Sequence, residues 1–311
     1  MEDNKQQVKD YFSRNAASWV AEQYTDQDYC YPVGPNRIRI ALHAIDKHYG
    51  RSGLRVLDIG CGGGAFCVPL LLRGDHITAI DLSAKMLQIA RENVQATGRT
   101  QNIHFIHGDI ESTQLQGERF DVISALGLYE YLDDGNAFLR KVKSLLAPGG
   151  IAIIDFRNRL FNMASISAYT EQEITNNTAA KLITEINTLY SAIPTEVAHE
   201  FIKTTTRISA DIAADVDGSD SSIGTTQQLE PEHVGTVTAT QQTPDEVRKL
   251  AEACGLTITG YYGVHPHLLV PKLNRLLPPK VFNSLSDALL PFEHLPISLI
   301  WSSKFIGVFK K

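Results

Sequence analysis

Val8, Tyr11, Phe12, Ala16, Trp19 and Val20 recur at three- and four-residue intervals among charged neighbours, so residues 2–24 carry the spacing of one amphipathic helix. A second helical stretch is expected from about Pro35 to His48. The period then changes. Arg55-Val56-Leu57-Asp58-Ile59 is a short apolar run ending in glycines, the pattern of a buried parallel strand that feeds a tight turn. Further strands are expected at His76–Asp81, Ile103–His107, Phe120–Leu126 and Ile151–Phe156. Between them lie a helix over Ser83–Thr97 with Ser83 as N-cap, and another from about Gly135 to Leu146 that stops at Pro148-Gly149-Gly150. This alternation predicts an α/β fold, a doubly wound parallel sheet with helices on both faces.

The alternation fails after residue 156. Residues 157–242 hold helical segments, clearest at Glu171–Tyr190, and a stretch rich in Thr, Ser, Asp and Gln from about Thr204 to Thr243. Thr243-Pro244-Asp245-Glu246 restarts the pattern: Thr243 is placed as N-cap, Pro244 at the first helical position and Glu246 at the third, a capping box. That helix should end at Gly255. Leu256–Val264 and Trp301–Phe309 read as two last strands, separated by a proline-rich segment.

Composition narrows the function. The net charge of -6 and the lack of a long Lys/Arg run argue against nucleic acid as a partner. The N-terminus is charged and has no signal-like apolar core. The most apolar tract, Leu285 to Trp301, is broken by Asp287, Pro291, Glu293, His294 and Pro296, so no membrane span is expected. Cys30, Cys61, Cys67 and Cys254 form no CxxC pair and no compact Cys/His cluster; they read as free thiols of a reducing, cytoplasmic setting, with no metal site.

The sharpest chemical signal is Val56-Leu57-Asp58-Ile59-Gly60-Cys61-Gly62-Gly63-Gly64-Ala65-Phe66. Glycines after a first strand let backbone N–H groups approach a ligand closely. Gly60-x-Gly62-x-x-Ala65 also satisfies the dinucleotide fingerprint, so the glycines alone leave a nicotinamide enzyme and a methyltransferase open. Asp58 separates the two readings. A carboxylate there would repel a pyrophosphate, whereas S-adenosylmethionine brings an ammonium and a sulfonium. Asp81 ends the second strand, where a carboxylate can accept both ribose hydroxyls. Asp109 can accept from an adenine amino group and Ile110 can pack on its ring, while Leu126 ends the fourth strand. All these positions lie at carboxyl ends of strands, where ligands of open α/β sheets bind.

VLDIGCGGGAF, followed by AIDLSAKMLQIAREN, HGDI, FDVISALGLYEYL and LLAPGGIAIIDF, closely resembles the class I S-adenosylmethionine-dependent methyltransferases. The resemblance is strong over about residues 52–156 and returns in TPDEVRKLAEACGL and the final strand. It implies a Rossmann-like seven-stranded sheet, mostly parallel with an antiparallel last strand. It also implies contacts to S-adenosyl-L-methionine, and to the product S-adenosyl-L-homocysteine, from Gly60, Cys61 and Gly62, from Asp81 with Leu82, from Asp109 with Ile110, and from the backbone near Leu126. Gly63 departs from the family, where Thr or Ser is common.

YFSRNAASWVAEQY looks like the N-terminal lid of small-molecule methyltransferases, in which Tyr11, Trp19 or Tyr24 would close over the cofactor and Arg37 would pair with its carboxylate. Met86 could reach the ribose or simply pack in the core. The expected organisation is a lid (1–50), a cofactor-binding core (51–156), an inserted substrate cap (157–242) and the C-terminal part of the core (243–311) with a second insertion (265–300). The expected reaction is methyl transfer to O or N of a small molecule such as a natural product, sugar or metabolite, by a monomer or homodimer. His265 and His267 are the candidate bases, with Asp155 and His199 as reserves. An NAD(P)-dependent oxidoreductase and a non-catalytic cofactor-binding interaction module are the alternatives.

Overall fold

Alternating strand side chains divide between two cores, and this alternation sets the architecture. In the computed structural model, which describes residues 4–24, 33–115, 117–217, 239–268, 270–271 and 279–311, the strands are β1 (Arg55–Ile59), β2 (His76–Asp81), β3 (Ile103–His107), β4 (Phe120–Ala125), β5 (Leu146–Arg157), β6 (Thr257–Pro266) and β7 (Ser302–Lys310). They form one sheet in the order β3-β2-β1-β4-β5-β7-β6. Strands β1 to β5 pair in parallel, and β7 runs antiparallel to both β5 and β6. This is the α/β, Rossmann-like sheet expected from the sequence.

Val56, Val122 and Ile153 face α3 (Val33–Tyr49), α4 (Cys67–Arg73) and α5 (Ala84–Gln95), against Ile40, Leu70 and Leu87. Leu57, Ile123 and Ile154 face α6 (Gly135–Leu145) and the helix Pro244–Ala253, against Phe138, Val142 and Val247. The order reverses between β1 and β4, and the loops leaving these two strands therefore diverge and open a crevice at their carboxyl ends.

Several expectations shift for local reasons. The first helix is two, α1 (Asn4–Arg14) and α2 (Ala16–Tyr24), which meet at Asn15, where the side-chain amide shares the Tyr11 carbonyl at 2.9 Å with the Asn15 backbone N–H. Pro148-Gly149-Gly150 falls inside β5 rather than before it. The β4–β5 ladder jumps from Phe120↔Leu146 to Val122↔Ile151, so these residues form a bulge. The helix expected over Glu171–Tyr190 is also two, α8 (Ala168–Thr175) and α9 (Ala179–Ser191), which follow the short α7 (Phe161–Ser165). Asn177 turns the chain between them at φ 57, a conformation that Asn tolerates. Part of the polar stretch after Thr204 is helical, in α10 (Thr195–Asp217). No helix among the described residues is long and apolar enough to cross a membrane.

The helix Pro244–Ala253, α11, opens on the capping box read from the sequence: Thr243 Oγ1 accepts from Glu246 N–H at 3.1 Å, and Glu246 Oε2 accepts from Thr243 N–H at 3.0 Å. Glu246 Oε1 also takes Arg159 at 3.2 Å and Lys181 at 3.0 Å, so one carboxylate caps a core helix and ties inserted segments to it. Arg159 in turn forks onto Glu173 with two bonds of 2.8 Å, which hold the Glu173 carboxyl down at about 2. The last helices are α12 (Pro279–Asp287) and α13 (Ser298–Trp301). Thr243→Ala should lower unfolding stability by about 0.5–2 kcal/mol, and Thr243→Ser should retain most of it, read from urea midpoints at unchanged slope.

Candidate functional site

The loop after β1 is bound to the end of β2 by its backbone. Gly60 N–H and Cys61 N–H both donate to the Ile80 carbonyl, at 2.8 and 3.2 Å, and Gly60 takes φ 70, which strains any other residue. One turn further, Gly62 N–H donates to Asp81 Oδ2 at 2.8 Å, while Asp81 Oδ1 accepts from Ser83 N–H at 2.8 Å. Ser83 then caps α5 by accepting from Met86 N–H. Burial pushes the Asp81 carboxyl up from its usual value, against these two donors. Each carboxylate oxygen holds one backbone donor and so keeps capacity for a ligand hydroxyl.

These loops wall an open cleft. Gly60, Cys61 and Gly62 leave β1; Asp81 and Leu82 leave β2; Gly108, Asp109 and Ile110 leave β3; Leu126 and Leu128 leave β4. Met86 of α5 and Arg37 of α3 also line it. Helices α1 and α2 supply the remaining wall through Val8, Phe12, Trp19 and Val20. The cleft therefore brings together most of the cofactor-side residues expected from the sequence.

Others lie elsewhere. Asp58 is buried beneath the loop, 3% exposed, where Ser124 Oγ donates to it at 2.7 Å and the Cys67 thiol at 3.4 Å. Burial pushes its carboxyl up to about 6, against those two donors. It supports the glycine turn from behind and does not line the cleft. Tyr11 packs edge-on against Phe12 and Trp19, with centroids 5.3 and 6.4 Å away, and does not line the cleft either. The Tyr24 side chain lies outside the described residues.

Lys5 was not legible as a site residue, yet its ammonium bridges Asp109 at 2.8 Å, Glu111, and Asp133 at 3.6 Å. Burial opposes its charge, but the hydrogen bonds it donates to Asp109 and Glu111 outweigh this and raise its pKa. The helix is thus fastened across the β3 end of the cleft. Lys5, Val8, Lys9 and Phe12 follow helical spacing on one face and line the cleft together, so the spacing was a usable signal. Tyr131, 5.5 Å from Phe12 between ring centroids, and Leu132 were also missed; both sit in the irregular segment after β4.

On the acceptor side, four charged residues and one arginine of α3 crowd the rim. Asp155, 1% exposed, is paired with Arg37 and lies 3.9 Å from Lys304; Lys304 donates to Glu130 at 2.9 Å. Asp155 thus sits between two cations as their counter-ion and does not line the cleft. His265 and His267 stack near each other, centroids 4.3 Å apart, with His267 against Phe161 and Phe282. Burial lowers both pKa values, His265 well below its usual value and His267 to about 4. Neither ring lines the cleft. His199 is exposed on α10 and does not line it.

Gly63 has a packing reason. A Cβ there would meet Val20 Cγ2 at 2.8 Å and Ile89 Cγ2 at 3.3 Å, so the missing side chain lets α2 rest directly on the glycine loop. Gly63→Ala should cost about 1–3 kcal/mol. Val20→Ala in the same chain should recover part of that loss, giving a double-mutant coupling of about 1 kcal/mol in thermal or urea unfolding.

The histidines predict a pH effect. An imidazole whose folded pKa is depressed is neutral when folded and takes up a proton on unfolding, so its stability contribution is complete above about pH 6.5 and is lost as pH falls toward 4. Asp58, raised to about 6, works in the opposite sense over a similar range. The difference between wild type and His267→Phe isolates the histidine: between pH 7 and 5 the wild type should lose about 1–2 kcal/mol more than the variant.

Residues 56–150 match the family model described as a methyltransferase domain. The ubiquinone biosynthesis O-methyltransferase of Aromatoleum aromaticum is 34% identical over 122 residues, covering 39% of this chain and 52% of that protein. Its namesake in Maricaulis maris is 32% identical over 167 residues, covering 50% of this chain and 65% of that protein. The chain thus spans about half to two thirds of the length of these curated relatives. Among solved structures, magnesium protoporphyrin IX methyltransferase from Synechocystis PCC 6803, with S-adenosylhomocysteine bound, aligns at TM-score 0.55 and 14% identity over 99% of this chain and 100% of that one. A cyclase, SpnF, aligns at TM-score 0.53 and 14% identity over 98% and 95%, so the fold by itself does not name the reaction. Residues 56–150 therefore carry a methyltransferase domain, set in a sheet with the fold of the aligned methyltransferase structures.

Proposed function

We propose that the protein transfers the methyl group of S-adenosyl-L-methionine to an O or N atom of a small molecule, releasing S-adenosyl-L-homocysteine. The observation that carries this reading is the Asp81 carboxylate, fixed by Gly62 and Ser83 at the centre of a cleft walled by four strand ends. The cleft fits the group: a carboxylate for a ribose diol, Asp109 and Ile110 for an adenine, and the β1 glycine loop for a methionine tail. A dinucleotide fits less well, because the Asp81 carboxylate lines the cleft against the glycine loop, where its pyrophosphate would lie.

When bound, the cofactor supplies an electrophilic methyl group on a sulfonium. The chain's own residues bind, orient and exclude water. Asp81 accepts from the ribose, with Leu82 and Met86 packed beside it; Asp109 and Ile110 hold the base; Arg37 and the backbone near Leu126 face the methionine end. Helices α1 and α2, with Trp19 closing over the cleft, keep water from the methyl group. Helices α7 to α10 of the first insertion, with α12 and α13 of the second, supply the acceptor side. The relatives' O-methyltransferase names favour oxygen as the acceptor atom.

Calorimetry tests the reading. Wild-type protein should bind S-adenosylhomocysteine, and Asp81→Asn should weaken binding by roughly 30- to 1000-fold, for a loss of ~2–4 kcal/mol. Folded wild-type protein that binds neither S-adenosylmethionine nor S-adenosylhomocysteine would sink it.

A further inference from the structure

We propose that Phe12, Trp19 and Tyr131 form an aromatic cage for the positive charge on the cofactor's sulfur, an inference that rests on the methyl-transfer reading above and names what tells donor from product. All three side chains line the cleft. Phe12 stands between the other two. Its ring centre lies 5.2 Å from that of Trp19 at an interplanar angle of 88°, and 5.5 Å from that of Tyr131 at 77°. The rings come from α1, from α2 and from the short turn after β4. Tyr11, outside the cleft, packs edge-on against both Phe12 and Trp19 and supports them from behind. Aromatic faces carry partial negative charge, and rings set nearly at right angles around a pocket suit an onium cation.

The charges of the cleft leave this task to the rings. Among the described residues, the carboxylates that line it are Asp81 and Asp109. Asp81 ends β2, and Asp109 follows β3, where Lys5 bridges it at 2.8 Å. The ends of β1 and β4 contribute no lining carboxylate among the described residues: Asp58 is buried behind the glycine loop, and Glu130 does not line the cleft. The charged residue lining the β4 end is Arg37, whose guanidinium lies against Gly127 and is itself a cation. The rings occupy this side. Val20, next to Trp19, rests on Gly63 of the β1 loop, while Tyr131 follows β4, so the set spans the gap between the two strand ends. With the ribose on Asp81 and the methionine tail on the glycine loop, the sulfur that joins them comes to this gap. Burial, with Glu130 beside it, pushes the Tyr131 phenol up, so this ring stays neutral and acts through its face.

Such a cage reads charge. In methyl transfer the acceptor atom bonds to the methyl carbon, the carbon–sulfur bond breaks, and its electron pair stays on sulfur. The sulfonium becomes a neutral thioether. S-adenosylhomocysteine therefore keeps the ribose, base and tail contacts and loses the attraction of the rings, and the product leaves more readily than the donor.

Calorimetry on the full chain tests the cage with S-adenosylmethionine, S-adenosylhomocysteine and sinefungin, in which an ammonium group replaces the charged methylsulfonium. Wild type should bind the two cationic ligands at least about fivefold more tightly than S-adenosylhomocysteine. Trp19→Leu and Tyr131→Leu should bring that ratio to within about twofold, mainly through lost affinity for the cations. Trp19→Phe, which keeps a ring in the same packing, should lower the ratio partway, and Tyr131→Phe should retain it. S-adenosylhomocysteine binding as tightly as the cations in wild type would overturn the proposal. So would a ratio unchanged in Trp19→Leu, Tyr131→Leu and Trp19→Phe, with all ligands weakened together, because the rings would then only dock α1 and α2. A preference for S-adenosylmethionine that sinefungin does not share would also overturn it, since it would report the shape of the methyl group. Wild type that binds neither S-adenosylmethionine nor S-adenosylhomocysteine is the separate failure of the methyl-transfer reading itself.

Discussion

The Asp81 carboxylate receives N–H groups from two different loops, and the cleft takes its form from that junction. Gly62 reaches it from the turn after β1, and Ser83 from the turn that starts α5. With Gly60 and Cys61 bound to the Ile80 carbonyl, the first two strand ends become one rigid unit. The two N–H donors fix the half-buried carboxylate where it lines the cleft. The remaining cleft elements are placed against it: Met86 one turn into the same helix, and Asp109 and Leu126 at the neighbouring strand ends.

Two kinds of contact close the cleft from above. One is steric, where Val20 of α2 occupies the space left by the absent side chain of Gly63. The other is electrostatic, where Lys5 of α1 reaches Asp109 and Glu111 across the adenine end. Ser13 and Ser83 add a hydroxyl contact at 3.0 Å between the same helix and the α5 cap. The seating of α1 thus depends on the Asp109 carboxylate at the end of β3.

The acceptor half of the rim follows a different logic. There the sheet carries β7 antiparallel between β5 and β6, which sets Lys304 beside Arg157 and brings Ser303 within 3.1 Å of His265. Charge clusters at this edge, while the histidines are drawn into aromatic packing and made neutral. The inserted helices are tied to the core by Glu246, Arg159 and Glu173. The large exposed apolar side chains of the inserted segment, such as Ile174 and Ile183, face away from the cores and line no part of the cleft.

Local rules were legible before the structure: the β1 to β5 alternation, the Ser83 cap, the Thr243–Glu246 capping box, and the run of strand ends bearing Gly60, Asp81, Asp109 and Leu126. Each depends on residues close in sequence or on the period of a strand, and such information is carried by the chain itself. The Asp58 depth was not legible, because a carboxylate on a strand can face a ligand or a neighbouring hydroxyl, and only the pairing of β1 with β4 set Ser124 beside it. Two apparent helices divide at Asn15 and Asn177, breaks that an apolar period does not register. Lys5 on Asp109, Arg37 on Asp155 and Arg157 near Glu130 join residues roughly 25 to 120 positions apart. Sequence alone determined the strand ends that line the cleft, since they follow one another along the β1 to β4 alternation. Tertiary structure decided the lid's fastening and the charge of the acceptor rim, because long-range pairing depends on which strands become neighbours.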